Sequence, residues 1–415
     1  MRPGRADTTR ALTDTGSPVL VTGGAGFLGV AVVRRLRAAG RQVTVVDDGS
    51  AGTLRRLREF ADDADVVHHR TSVCDADAVA ELHHAVRPWA VIHLAAKHFI
   101  PECERDPAET GRVNVDGTAS MLAAWRAHRP QRFVFASSAA VYADSTRPLS
   151  ERSRCAPPTL YGRTKLAGER MVHRYAARRG VAALSVRLFN LYGPGPTVEH
   201  LVPTALAQAR AGGPLRLGDL RTVRDYVYVE DAADAVLALL AQGATGRVNV
   251  GTGRGTAGRD VVAGILEVLG LAGTAVFDPA RTRACDSPAV VADIRRLRTL
   301  LPDWRPVQLH EGLSRTARSP VYEGLSRTAW PPDHAGPRRT ALAPVHEGLR
   351  RTARSPDHED PRRTARPPEV EPRQRVVSRE RGTGPGPAAE ASPAAPASGP
   401  EGVPPAAPRP PGGAG

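Results

Sequence analysis

Residues 18–29 read PVLVTGGAGFLG. Val19-Leu20-Val21 is a short apolar run of the kind that forms a buried parallel strand. Gly23, Gly26 and Gly29 follow at three-residue spacing, and residues 30–36 (VAVVRRL) then carry an apolar helical face. Strand, glycine turn and helix in that order is the setting in which a glycine pattern holds a dinucleotide. Gly23 permits the tight turn. Gly26 lets the backbone approach a pyrophosphate, and Gly29 lets the helix pack close to the strand. The positive end of the helix faces the phosphates. The spacing is G-x-x-G-x-x-G rather than G-x-G-x-x-G, so the flanking elements carry the reading.

A second strand, residues 42–46 (QVTVV), ends in Asp47-Asp48. An acid some twenty residues beyond the first glycine is placed to accept from adenosine ribose hydroxyls, which favours NAD over NADP. Arg55 and Arg56 keep the phosphorylated cofactor open. Apolar runs and helical patterns then alternate. A third strand is expected at 65–69, a helix at 77–86, a buried strand at 89–96 and a long helix from about 108 to 127. A strand at 132–136 delivers Ser137-Ser138 to the carboxyl edge, a helix opens at Tyr161, and another strand covers 181–189. This alternation predicts an α/β fold with a doubly wound parallel sheet. His93, inside the fourth apolar run, reads as a hydrogen-bonded core histidine.

Tyr161 and Lys165 stand four apart, on one face of the expected helix. A free tyrosine has a pKa near 10 and is a poor base at neutral pH. A nearby ammonium and a bound nicotinamide cation both favour its phenolate. With Ser138 donating to the same substrate oxygen, the three form a proton-transfer device beside a hydride acceptor. Lys97 and Lys165 are the only lysines in the chain; every other basic side chain of this kind is arginine.

Several stretches in order resemble the extended short-chain dehydrogenase/reductases, in their NAD-dependent epimerase/dehydratase branch. They are TGGAGFLG (22–29), HLAA (93–96), NVDGT (114–118), SSAAVY (137–142), YGRTK (161–165), RLFNLYGPG (187–195), RDYVYVEDAADA (224–235) and NVGTG (249–253). The resemblance implies a Rossmann-like domain and a smaller α/β substrate domain that share a nucleotide-sugar cleft. It implies that Gly23, Gly26, Phe27, Leu28 and Gly29 hold the NAD pyrophosphate and Asp47 the adenosine ribose. Ala95, Ala96 and Asn114 would line the cofactor site, and Lys165 would hold the nicotinamide ribose. Tyr161 would be the base and Ser138 would contact the substrate hydroxyl. Asn190, Arg224 and Arg283 would bind the sugar nucleotide's phosphates. Two positions depart from the pattern: Ser72 replaces an adenine-contacting aspartate, and Cys285 replaces a glycine. Dehydratases of this branch carry acids directly after the catalytic hydroxyl residue, whereas Ser138 is followed by Ala139-Ala140. That implies an epimerase similar to those acting on UDP-hexoses. A net reductase or dehydrogenase, or a non-catalytic NAD-binding scaffold, stays open as an alternative. A homodimer formed through helices near 108–127 and 160–178 is also implied.

The chain has 415 residues and a net charge of +14, with aromatics at only 4%. No basic cluster is interleaved with aromatics, so nucleic acid is not the expected partner. Four widely spaced cysteines (Cys74, Cys103, Cys155, Cys285) form no metal spacing, and free thiols in a cytoplasmic setting are expected. No metal and no membrane span are expected. The expected domains are a disordered leader at 1–16, the NAD-binding domain at 17–186 and 223–250, and the substrate domain at 187–222 and 251–317. After that the reading changes. A 12-residue period, beginning EGLSRTARSPVY at 311, repeats Arg-Thr-Ala and gives way to a Pro/Ala/Gly-rich end. Low hydrophobicity with abundant Pro and Arg predicts a disordered tail over 318–415.

Overall fold

A computed structural model describes residues 16–51, 54–125, 130–195, 200–281 and 287–319. The expected leader apart from Gly16, the 318–415 tail apart from Arg318 and Ser319, and the Arg283 and Cys285 positions lie outside the described residues.

Seven parallel strands form the central sheet. In spatial order they are Val66–His69, Val43–Val46, Val19–Thr22, Ala90–His93, Arg132–Ser138, Ala182–Leu188 and Gly246–Val250. This is a Rossmann-like doubly wound sheet, with its order reversing between Val19–Thr22 and Ala90–His93. Ligands of such sheets bind beyond the carboxyl ends of the strands at that reversal. The three strands around it are buried throughout, which their mostly apolar, Val-rich sequences allow. Val66–His69 closes one edge, and there Val67 and His68 are exposed.

A second, smaller sheet centres on Val223–Tyr228. It pairs with Asn190–Tyr192, Gly255–Ala257 and Ala289–Val290. Its core is separate and holds Tyr192, Leu206, Leu217, Val261, Ile265 and Leu313. Asp225 joins its parts. This fully buried carboxylate accepts from the Thr252 N–H and hydroxyl and from the N–H groups of Gly253 and Ala292. Ala292, Ile294, Leu297 and Leu301 pack into the larger core, although the sequence grouped them with the smaller domain.

The long helix expected at 108–127 is broken up. It runs as Pro107–Gly111, a widened π turn at Arg112–Asp116 and Gly117–Ala124; residues 126–129 are not among those described. The turn carries Asn114, whose amide is drawn sideways to other elements. Leu54–Phe60 forms a 3-10 helix. The Tyr161 helix spans Leu160–Arg179. Thr159 caps it by accepting from the Gly162 N–H, and Gly180 ends it in the left-handed conformation. Among the described residues no helix is long and apolar enough to cross a membrane.

Candidate active site

The glycine turn is built for close approach. Gly23 has φ +66°, and a Cβ there would lie 2.8 Å from Ala95 N on the loop after the fourth strand. At Gly26 a Cβ would meet Gly23 O at 2.9 Å, and at Gly29 it would meet the same oxygen at 2.2 Å. The first helix, Phe27–Ala38, begins at Gly26 with no side-chain cap and no acid in its first turn. Its positive end is therefore left for an anion. Asp47 ends the second strand, and its carboxylate accepts from Ala25 N–H at 3.1 Å and Gly49 N–H at 2.9 Å. The acid is thus fixed against the glycine turn. Phe27 and Leu28 open the helix, with Leu28 buried and Phe27 half-buried. A dinucleotide pyrophosphate fits this bare, uncapped cradle.

A buried polar chain runs from the turn to the Tyr161 helix. Ala95 N–H donates to Thr22 Oγ1, whose own hydroxyl lies 2.7 Å from His93 Nδ1. His93 Nε2 is 3.1 Å from Thr118 Oγ1, and that hydroxyl donates to Asn114 O at 2.7 Å. With the Thr118 proton spent, Nε2 must be the donor and Nδ1 the acceptor. Burial pushes the His93 pKa down to about 3, and the Lys165 ammonium adds to the effect. The core reading of His93 therefore holds. Asn114 continues the chain. Its Oδ1 accepts from Lys97 N–H, and its Nδ2 donates to Lys97 O and to Thr164 Oγ1. Both amide hydrogens are committed inside the protein, so Asn114 shapes the Ala95–Lys97 loop through the Lys97 backbone.

Ser138, Tyr161 and Lys165 come together beyond the carboxyl end of the fifth strand. The Ser138 hydroxyl is near enough to the Tyr161 phenol to lower its pKa, and it accepts from Ala140 N–H at 3.1 Å. Lys165 Nζ donates to Ala136 O at 2.8 Å and lies 5.9 Å from the centre of the Tyr161 ring. Burial pushes the Tyr161 phenol up to about 12, against the Ser138 bond that lowers it. Burial pushes the Lys165 ammonium down to about 8. Two glycines let the helix come this close. A Cβ at Gly162 would lie 2.1 Å from Ala140 O, and one at Gly168 would lie 2.4 Å from the Phe135 ring.

Asn190 and Arg224 lie on neighbouring strands of the small sheet. Asn190 pairs with Tyr226, two residues beyond Arg224, so the register puts Asn190 and Arg224 on one face. Arg224 Nη1 donates to Val223 O. Ser72, where the resemblance implies an adenine contact, accepts from Cys74 N–H in the turn before the next helix. Sequence reading missed Glu169 and its partners Ser137, Arg187 and Arg247. The continuation of the Tyr161–Lys165 spacing by four more residues was the available signal.

The fold and its switch-point cradle define a dinucleotide-binding α/β protein. The profile of the NAD dependent epimerase/dehydratase family matches residues 19–251, and the chain belongs to that family. It is 34% identical over 324 residues to a UDP-glucose 4-epimerase of Azospirillum brasilense, covering 72% of this chain and 90% of that one. It is 31% identical over 327 residues to a dTDP-glucose 4,6-dehydratase of Neisseria meningitidis, covering 72% and 92%. The NAD complex of Thermus thermophilus UDP-glucose 4-epimerase superposes with TM-score 0.68 at 31% identity, covering 74% of this chain and 99% of that one. The protein is an NAD-dependent member of this family of enzymes.

Proposed function

We propose that the protein is a nucleotide-sugar epimerase that inverts C4 of a UDP-hexose through a transient 4-keto sugar. One observation carries the choice. The strand that delivers Ser138 runs directly into the 3-10 turn Ala139–Val141, which has no carboxylate. Eliminating water needs a general acid and base beside the sugar, and these positions offer neither.

The chemistry follows from the residues. Gly23, Gly26, Phe27, Leu28 and Gly29 hold the pyrophosphate, Asp47 the adenosine ribose, Ala95 and Ala96 the channel wall, and Lys165 the nicotinamide ribose. NAD, when bound, supplies a reversible two-electron acceptor and a positive charge. Tyr161 takes the proton of the 4-hydroxyl, and Ser138 donates to that oxygen. An unaided phenol at about 12 is a poor base. The Lys165 ammonium favours its phenolate. Once the keto sugar has turned over and the hydride lost from C4 is back on its opposite face, Tyr161 returns the proton to the same oxygen, which completes the inversion. Asn190 and Arg224 hold the diphosphate from the small sheet, where a guanidinium suits paired phosphate oxygens. Arg283, outside the described residues, joins them in this reading.

The substrate domain is the one built on the small sheet, and the enzyme is a cytoplasmic homodimer.

The test is incubation of the purified chain with UDP-glucose or UDP-galactose, without added NAD, followed by NMR. Interconversion at C4 with no net NADH supports the epimerase. Loss of water from dTDP-glucose would make it a dehydratase, and NADH that accumulates only with added NAD would make it a dehydrogenase. Silence on every sugar with NAD still bound would favour a scaffold, against which the complete Ser138–Tyr161–Lys165 set counts.

A further inference from the structure

Tyr161, Lys165 and Glu169 follow at four-residue spacing along one helix, and three consecutive strand residues meet them. The Ser138 hydroxyl acts on the Tyr161 phenol, Ala136 O accepts from Lys165, and Ser137 Oγ donates to Glu169 Oε1 at 2.6 Å. The third rung is the most heavily built. Glu169 is fully buried and accepts four hydrogen bonds. Arg187 supplies two, at 2.8 and 2.7 Å, Arg247 Nε supplies one at 2.9 Å, and Ser137 supplies the fourth. Strand register places Arg187 beside Ser137. Arg187 is itself fixed over the Tyr142 ring at 4.7 Å and donates to Glu151 O.

A buried ion pair is a weak source of stability, because well-packed apolar residues of similar volume do as well or better. What this pair supplies is geometry. Its carboxylate fixes the backbone beside Ser138 and the helix one turn beyond Lys165, through bonds that tolerate little displacement. We propose that Glu169, held by Arg187, is a positioning residue for proton transfer, setting Ser138 and Lys165 against Tyr161. The proposal rests on Tyr161 acting as the base.

The test uses the full chain with bound NAD. In Glu169→Leu/Arg187→Met, apolar groups of similar volume replace the pair. The expected result is an unfolding midpoint equal to or above that of the parent, kcat for the UDP-hexose lower by about tenfold, and KM within about twofold. Ser137→Ala keeps the ion pair and removes one rung, so it is expected to fold normally and lose a few-fold in kcat. A substrate-free readout separates this proposal from the choice of sugar. The ultraviolet titration of the Tyr161 phenol, assigned with Tyr161→Phe, is expected to move by about one pH unit in the double variant. A parent midpoint retained in both variants overturns the proposal, whether or not any UDP-hexose is turned over. Parent kcat in Ser137→Ala and in a folded double variant overturns it equally. Inactivity of the parent on every UDP-hexose overturns the epimerase reading and leaves the titration to decide this one.

Discussion

Gly23 faces Ala95 across the gap between the first and fourth strands, so close that a methyl group on Gly23 would lie 2.8 Å from the Ala95 nitrogen. Two loops that never meet in sequence are pressed together at the point where the sheet reverses. Gly23→Ala is expected to lose about 1–2 kcal/mol to its left-handed backbone and about 1–3 more to the forced separation of the loops. NAD content of the purified variant and its thermal midpoint check this; a variant with parent NAD occupancy would contradict it.

Tyr161 carries the proton in the proposed reaction, and its removal need not disturb the cradle. Tyr161→Phe is expected to lower kcat by about 10²–10⁴-fold while the protein keeps its NAD, in line with the loss of a general acid–base. Equilibrium dialysis of NAD and the initial rate on UDP-galactose check the two halves separately.

His93 ties stability to acidity. Its folded pKa is about 3, below the ordinary value of about 6.5. A depressed pKa means that the unfolded chain binds the proton first. Its contribution is complete above about 6.5 and is lost as pH falls toward 3. At pH 5 the loss amounts to about 2 kcal/mol. His93→Asn removes the proton site, so its stability is expected to fall less steeply between pH 7 and 5, even if it starts lower. Urea unfolding at both pH values measures the two slopes.

Asp225 is buried with four donors aimed at its carboxylate, and burial raises its pKa against them. Asp225→Asn turns an amide N–H₂ toward N–H groups that need an acceptor. A cost of about 2–4 kcal/mol is expected, from unpaired buried donors. Denaturant midpoints check it, and weaker sugar-nucleotide binding should accompany it, since Arg224 adjoins it on the same strand.

By itself the sequence determined the architecture and brought Ser138, Tyr161 and Lys165 forward as candidates. The glycine turn, the alternation of apolar strands with helical faces, and the Tyr161–Lys165 spacing are local patterns, and local geometry fixes what they become. Tertiary structure alone decided the rest. The π turn that takes Asn114 out of a simple helix reflects its bonds to Lys97 and Thr164, which come from other elements. The assignment of residues 292–301 to the larger core follows from packing among distant apolar side chains. The Glu169–Arg187–Ser137 lock needs a helix and two strands brought into register. Each joins residues far apart in the chain, and single-chain periodicity carries no record of which face meets which neighbour.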